Sequence, residues 1–252
     1  EFVLSIAENK ALETNNVLPS RVVQCIAPDC TTGADEAYRL EITPDSVFIQ
    51  STTVTGAFRG EETLKQLLRS GKGTTSACVI NDAPRYSWRG FMLDESRHFF
   101  GKEKVKQLLD IMASLRLNVF HWHLTDEPGW RIEIKKYPLL TKVGSKGNYH
   151  DPSSPAAFYT QEDIKDIVAY AAARHIMIVP EFDMPGHATA ACRAYPELSG
   201  GGEGRWKDFT FHPCKEETFR FISDVLDELI TLFPSPYILS LIHISEPTRP
   251  RL

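Results

Sequence analysis

"LNVFHWHLTDEPGW", residues Leu117 to Trp130, is the stretch on which the fold turns. Its first half is a near-continuous apolar run interrupted by two histidines, His121 and His123; its second half becomes polar at Thr125 and breaks on Pro128 and Gly129. Apolar side chains on both faces are what a strand carries when both faces are covered, as in a parallel sheet. In such sheets the chemistry gathers just beyond the C-terminal ends of the strands.

Two neighbouring stretches repeat the pattern. "WRGFMLDESRHFF" (Trp88 to Phe100) and "IMIVPEFDMPGH" (Ile176 to His187) are also apolar runs that end in polar clusters. Helical spacing lies between them. Val105, Leu108, Leu109 and Met112 fall on one face of a helix, and Thr160 is placed to cap a second helix with Ile164, Ile167, Val168 and Ala171 inward. A third, "EETFRFISDVLDELITLF", puts Phe219, Ile222, Leu226 and Leu229 on one face, and "PYI" begins a fourth strand. Strand and helix in alternation predict a parallel α/β sheet, either a (β/α)8 barrel or a doubly wound sheet. No glycine-rich phosphate turn follows the first strand, which favours the barrel.

The N-terminal third reads differently. "AYRLEITPDSVFIQS" alternates apolar and polar residues on both sides of Pro44-Asp45, the pattern of a hairpin with one buried face. "FRGEETLKQLLRS" offers Leu64, Leu67 and Leu68 at helical spacing, and "SACVIND" returns as a short strand. These features predict a small α/β domain over residues 1–84 and three strands plus the start of a fourth over 85–238.

Composition excludes several partners. A chain of 252 residues that is 42% hydrophobic and 24% charged is globular, and its net charge of −5 lacks the basic stripe that nucleic acid requires. No apolar run approaches the ~20 residues that cross a bilayer. The five cysteines, Cys25, Cys30, Cys78, Cys192 and Cys214, form no CxxC pair; mostly buried thiols are expected, with Cys192 to Cys214 as the bridge an oxidising compartment would allow. The chain starts at Glu1 without a methionine or a leader, so composition fixes no compartment.

Three polar clusters at three equivalent strand ends invite a chemical reading. Taken singly, Arg97 suits a surface ion pair, Asp126 a turn cap and His187 a helix start. A structural strand end needs only Gly, Asn or Ser, so three such clusters exceed what structure requires. One chemistry is metal binding: His121 and His123, two apart on a strand, point to the same side. The other is sugar hydrolysis. Arg97 offers a fixed fork of donors suited to vicinal hydroxyls, Asp126 and His187 suit a carboxylate-imidazole pair that tunes a third acid, and Trp130 suits either a sugar face or the core.

"WRGFMLDESRHFF", "LNVFHWHLTDEPGWRIEIKKYPLLTKVG", "FYTQEDIKDIVAYAAARHIMIVPEFDMPGHA" and "AYPELSG" together resemble glycoside hydrolase family 20, the β-N-acetylhexosaminidases, from about Tyr86 to Ile238. Residues 37–80 resemble, more loosely, the small α/β domain that precedes the barrel in that family. The resemblance implies a retaining glycosidase, without metal or cofactor, in which the 2-acetamido oxygen of the substrate is the nucleophile. It implies that Arg97 grips the terminal N-acetylhexosamine of an oligosaccharide or glycoconjugate. Asp126 and His187 relay to the general acid, and Asp183 and His123 stand behind them. Where the family's second motif reads Asp-Asp-Gln, this chain has Asp126, Glu127 and Pro128. A periplasmic, secreted or lysosome-like compartment is expected over the cytoplasm.

The family's general acid is a glutamate preceded by an aspartate at the end of the fourth strand. At that place stands "LSLIHISEPTRPRL", which has no acid before Glu246 and no glycine pair. Leu239 to Arg249 read as one frame of a transposase-end sequencing adaptor, so residues 239–252 are expected to be a non-native tail and the chain inactive.

Overall fold

The computed structural model describes residues 22–26 and 35–240. They fall in two compact units, one comprising the described residues up to 89 with 113–116, the other 90–112 and 117–240.

The first unit is a four-stranded sheet with one helix. Its elements are β1 (Val22–Ile26), β2 (Tyr38–Ile42), β3 (Val47–Ser51), α1 (Val54–Ser70) and β4 (Cys78–Asp82), with strand order β1-β3-β2-β4. The hairpin turns where Pro44-Asp45 predicts it: β2 and β3 pair antiparallel, with Tyr38 opposite Ser51 and Ile42 opposite Val47. Alternation then sends Tyr38, Leu40, Ile42, Val47 and Ile49 into one core with Ala57, Leu64 and Leu68 of α1, while Leu67 is half-buried at its edge. Each such aliphatic side chain contributes roughly 1.5–3 kcal/mol on full burial. α1 starts four residues before the predicted Phe58, because Thr53 is extended and its hydroxyl accepts from Gly56 N at 3.0 Å. The helix lies close on the sheet; a Cβ at Gly60 would come within 2.6 Å of Ile49.

The second unit alternates strand and helix: β5 (Gly90–Asp94), α2 (Lys102–Ser114), β6 (Val119–His123), α3 (Gln161–Ala172), β7 (Met177–Glu181), α4 (Thr189–Ala194) and α5 (Glu216–Leu232). β5, β6 and β7 are parallel and adjacent in chain order, in register so that Asp94, His123 and Glu181 stand side by side. The sheet grows in one direction. Leu239 continues it, donating to Pro180 O and accepting from Phe182 N, both at 2.9 Å. A doubly wound sheet reverses its strand order, whereas a barrel adds each strand beyond the last, so the order is that of a (β/α)8 barrel. Leu239 and Ser240 thus hold the opening of the fourth strand; residues 241–252, most of the expected tail, lie outside the described residues.

Helix starts and inner faces follow the sequence in two helices and depart from it in the third. Thr160 accepts from Asp163 N at 3.1 Å while the Asp163 carboxylate accepts from Thr160 N, a reciprocal cap. Val105, Leu109 and Met112 of α2 are buried, as are Ile164, Ile167 and Ala171 of α3, while Leu108 and Val168, expected on the same faces, are half-buried. In α5 the expected face is corrected. Phe219 is 54% exposed, Ile222 and Leu226 are half-buried, and the buried stripe is Thr218, Phe221, Val225, Leu229 and Leu232. Phe221 wins because it enters an aromatic cluster with Trp130, Tyr137, Tyr195 and Phe211. The cysteine expectation is corrected too. Cys192 is a buried free thiol, pushed by burial up to about 12, Cys214 is a free thiol exposed to solvent, and Cys78 is free and half-buried. Cys30 lies outside the described residues, and of Cys25 only the backbone is described. No helix among the described residues is long and apolar enough to cross a membrane.

β5 is an edge of the three-stranded sheet, and its Phe91 and Met92 are 44% and 46% exposed. An exposed apolar edge strand is an association site. The chain is therefore expected to self-associate at micromolar concentration, and Phe91→Lys with Met92→Lys to shift it towards monomer. Sedimentation velocity reads this; a single monomeric boundary for the unchanged chain contradicts it.

Candidate functional site

The register of β5, β6 and β7 brings three strand ends to one place. Side chains at matched positions of parallel strands point the same way, so Asp94, His123 and Glu181 share a layer, with His121 one layer below. The loops that follow add Arg97, Asp126, Asp183 and His187 on the same side.

Asp126 is the centre. It is 2% exposed, and a buried carboxylate persists only if paired and hydrogen-bonded. Its Oδ1 accepts from Glu127 N and lies 2.6 Å from His187 Nδ1. Its Oδ2 lies 2.5 Å from Arg97 Nη2, an ion contact whose N–H is not aligned on that oxygen. Arg97 turns its other nitrogen, Nη1, onto Asp94 Oδ2 at 2.5 Å, while its backbone N–H donates to Asp94 Oδ1 at 2.9 Å. One guanidinium thus bridges the ends of β5 and β6. Burial disfavours the charged form of Arg97, but the Asp94 bond and the Asp126 charge outweigh it and raise its pKa. His187 reaches Asp126 from the loop after β7, with φ at +55° and its ring 4.9 Å from Phe209. Glu127 Oε1 is the more distant neighbour of His187 Nδ1, at 3.8 Å.

His123 stands beside this centre. Its Nε2 lies 2.9 Å from Thr125 O and 3.1 Å from Asp183 Oδ2. Burial by itself favours the neutral ring, yet the Asp183 bond and the charges of Glu181, Asp183 and Asp94 raise its pKa to about 9. Asp183 is pushed above the usual carboxylate range by burial, against the pull of His123. Glu181 is held below it, because its bond to His121 and the His123 charge overcome burial.

A buried guanidinium fixes the loops. Arg131, 1% exposed, donates to the carbonyls of Glu95, Ser96, Ser145, Gly147 and Ala157, tying the loop after β5 to the loop after β6. Burial lowers its pKa to about 10. Glu95, wholly buried beside it, has its pKa raised by burial to about 7, against the bonds it accepts from Tyr159 and Phe100. Arg97 opens onto a cavity of about 400 Å³ lined by Asp94, Arg97, His98, Phe100 and Tyr149.

The residues Arg97, Asp126, His187, His123 and Asp183, singled out from sequence, all meet here. Trp130 does not. It is 2% exposed, its Nε1 donates to Ile132 O at 2.7 Å, and its ring packs on Phe182 and Phe221, so the expectation of a sugar contact is corrected to a core role. The histidine pair does not form a donor set either, since His121 Nε2 is held by Glu181 Oε2 at 2.6 Å. Among the described residues, the groups able to offer one donor each to an ion are His123 with Glu181 and Asp183, and Asp126 with Glu127 and His187. Asp94, Glu181, Glu95 and Arg131 were missed from sequence. Asp94 and Glu181 had one available signal, their place as the last residues of apolar runs.

The family model described as glycosyl hydrolase family 20, catalytic domain, matches residues 86–244, and that described as glycosyl hydrolase family 20, domain 2, matches residues 4–83. A beta-hexosaminidase of Porphyromonas gingivalis is 43% identical over 220 residues, covering 81% of this chain and 28% of that protein. The chain spans under half the length of the curated relatives it matches. An exo-β-N-acetylglucosaminidase of Vibrio harveyi, solved with N-acetylglucosamine, superposes with a TM-score of 0.77 at 36% identity, covering 86% of this chain and 37% of that one. The β-N-acetylhexosaminidase of Streptomyces coelicolor A3(2) gives 0.78 at 36% identity, covering 86% and 47%.

The pKa of His123 gives a test. The folded ring binds its proton more tightly than the unfolded one, so its contribution to stability is fully present below pH 6.5 and is lost as pH rises through about 9. The melting-temperature gap between the chain and its His123→Gln variant is expected to narrow across that window. A gap constant from pH 6 to 10 contradicts the assignment.

Proposed function

The chain belongs to glycosyl hydrolase family 20, and from that premise we propose that its site takes the terminal, non-reducing N-acetylhexosamine of a β-linked glycan for retaining hydrolysis. The observation that carries the reading is the Arg97 bridge between Asp94 and Asp126 at the mouth of the cavity. A guanidinium already oriented by two carboxylates presents a rigid fork to vicinal hydroxyls, and Asp94, which lines the cavity beside it, can accept from the same hydroxyls. The cavity falls in the ~300–1,000 Å³ range of small-ligand pockets.

The chemistry follows from charge. The acetamido oxygen of the substrate attacks the anomeric carbon, and the leaving oxygen takes a proton from an acid. Asp126 fixes His187 through Nδ1, so the Nε2 edge of His187 is left to pair with that acid and tune it. In the family the acid is a glutamate after an aspartate at the end of the fourth strand, the strand that Leu239 begins beside Glu181. In this chain the one acid after Leu239 is Glu246. We therefore expect these 252 residues to bind the sugar and not to turn it over.

Titration with N-acetylglucosamine is expected to show binding that Arg97→Ala weakens about 10- to 100-fold, the worth of a charge-assisted hydrogen-bond set. Binding is expected to survive a chelator. An aryl N-acetyl-β-glucosaminide is expected to give no hydrolysis above background. Turnover by the purified chain, abolished by Glu246→Gln, overturns the expectation of no hydrolysis; an Arg97→Ala variant that binds as well as the parent overturns the sugar-binding reading.

A further inference from the structure

Beyond Arg97 and Asp94, the cavity has a second wall that no step above uses: Tyr149, Phe100 and His98. Tyr149 is 66% exposed and Phe100 51%, so neither ring is spent on the core. A large exposed aromatic is ordinary on a loose loop, but this loop is built. Gly147 N donates to Ser154 O and Asn148 N to Asp151 O, both at 2.9 Å, and the Asn148 side chain accepts from His150 N and Asp151 N at 2.9 and 2.8 Å. Gly147 takes φ at +88°, where a side chain would be strained and a Cβ would meet Pro152 O at 3.0 Å. Arg131 holds the Gly147 carbonyl at 2.7 Å.

The same loop is fastened to the sugar-gripping residue itself. Tyr149 N donates to Arg97 O at 3.1 Å, and His150 packs its ring 4.9 Å from that of His98. The backbone that positions the guanidinium and the backbone that positions the Tyr149 ring are therefore one hydrogen-bonded piece. A pyranose presents hydroxyls at its rim and C–H groups on its faces. A pocket with an anchored charged fork on one side and an anchored aromatic on the other fits that two-sided chemistry, as polar groups orient a ligand and aromatic surface covers it.

We propose that Tyr149 is a sugar-contact residue, its ring covering the apolar C–H face of the N-acetylhexosamine whose hydroxyls Arg97 holds. The assignment rests on the reading of the site given above. Covering by a ring predicts that the ring matters and the phenol hydroxyl does not. In the full chain, titrated with N-acetylglucosamine and followed by saturation-transfer and chemical-shift NMR, Tyr149→Ala is expected to weaken binding about three- to tenfold, the fold-change an aromatic contact is worth. Tyr149→Phe is expected to stay within about twofold of the parent. Tyr149→Leu, which keeps bulk without a ring face, should fall with the alanine variant; it decides the matter if Tyr149→Ala does not fold. If the parent chain gives no transfer signal at all, the sugar-site reading falls and this assignment with it. If the parent binds and Arg97→Ala loses binding while Tyr149→Ala and Tyr149→Leu match the parent, the Tyr149 assignment alone is overturned.

Discussion

In-register parallel pairing of β5, β6 and β7 is the constraint from which the rest follows. It sets Asp94, His123 and Glu181 in one row, and period-two alternation then sends their side chains to the same side of the sheet. A slip of one residue in β6 would turn His123 away and bring Trp122 into the row. Trp122 is instead buried on the opposite side, against Phe120, Tyr159 and Phe233. The apolar side of the strand thus locks the register that the polar side uses.

Burial makes the polar row demanding. Asp126, Asp183 and His123 are each at most 5% exposed, and leaving any of them unpaired would cost several kcal/mol. The structure answers by pairing: Asp94, Arg97 and Asp126 alternate in charge along one line, which the His187 ring closes by a hydrogen bond to Asp126, and Glu181, His123 and Asp183 form another. Arg131 does the corresponding work for the backbone, since loop carbonyls buried at strand ends need donors and one guanidinium supplies five N–H bonds. Rigidity of the loops and charge balance of the site are one arrangement.

Much of this was legible in the sequence, for identifiable reasons. Strand runs, the Pro44-Asp45 turn and the Thr160 cap are local patterns, set by residues within a few positions of one another. The inner face of α5 was not local. "FRFISDVLDELI" carries two overlapping apolar stripes, one through Phe219 and one through Phe221, and only the aromatic cluster around Trp130 chooses between them. Trp130 itself sits next to the polar cluster in sequence, but its backbone N–H donates to Gly144 O and its ring N–H to Ile132 O, with the ring buried. Glu181 and Asp94 carried only a weak signal, their place at the ends of apolar runs, because their meaning as site residues comes from register across strands. Leu239 shows the reverse limit: strand pairing needs only its backbone N–H and C=O, which every residue but proline has.

The buried Asp126 carboxylate, and not that of Glu127, holds the His187 Nδ1 proton. Proton NMR of the imidazole N–H region tests it most directly, because a proton held between Nδ1 and a carboxylate at 2.6 Å resonates far downfield and exchanges slowly. That signal is predicted to be present in the chain, lost in Asp126→Asn, and retained in Glu127→Gln, whose carboxylate lies 3.8 Å away. A signal that survives Asp126→Asn, or that disappears in Glu127→Gln, would contradict it.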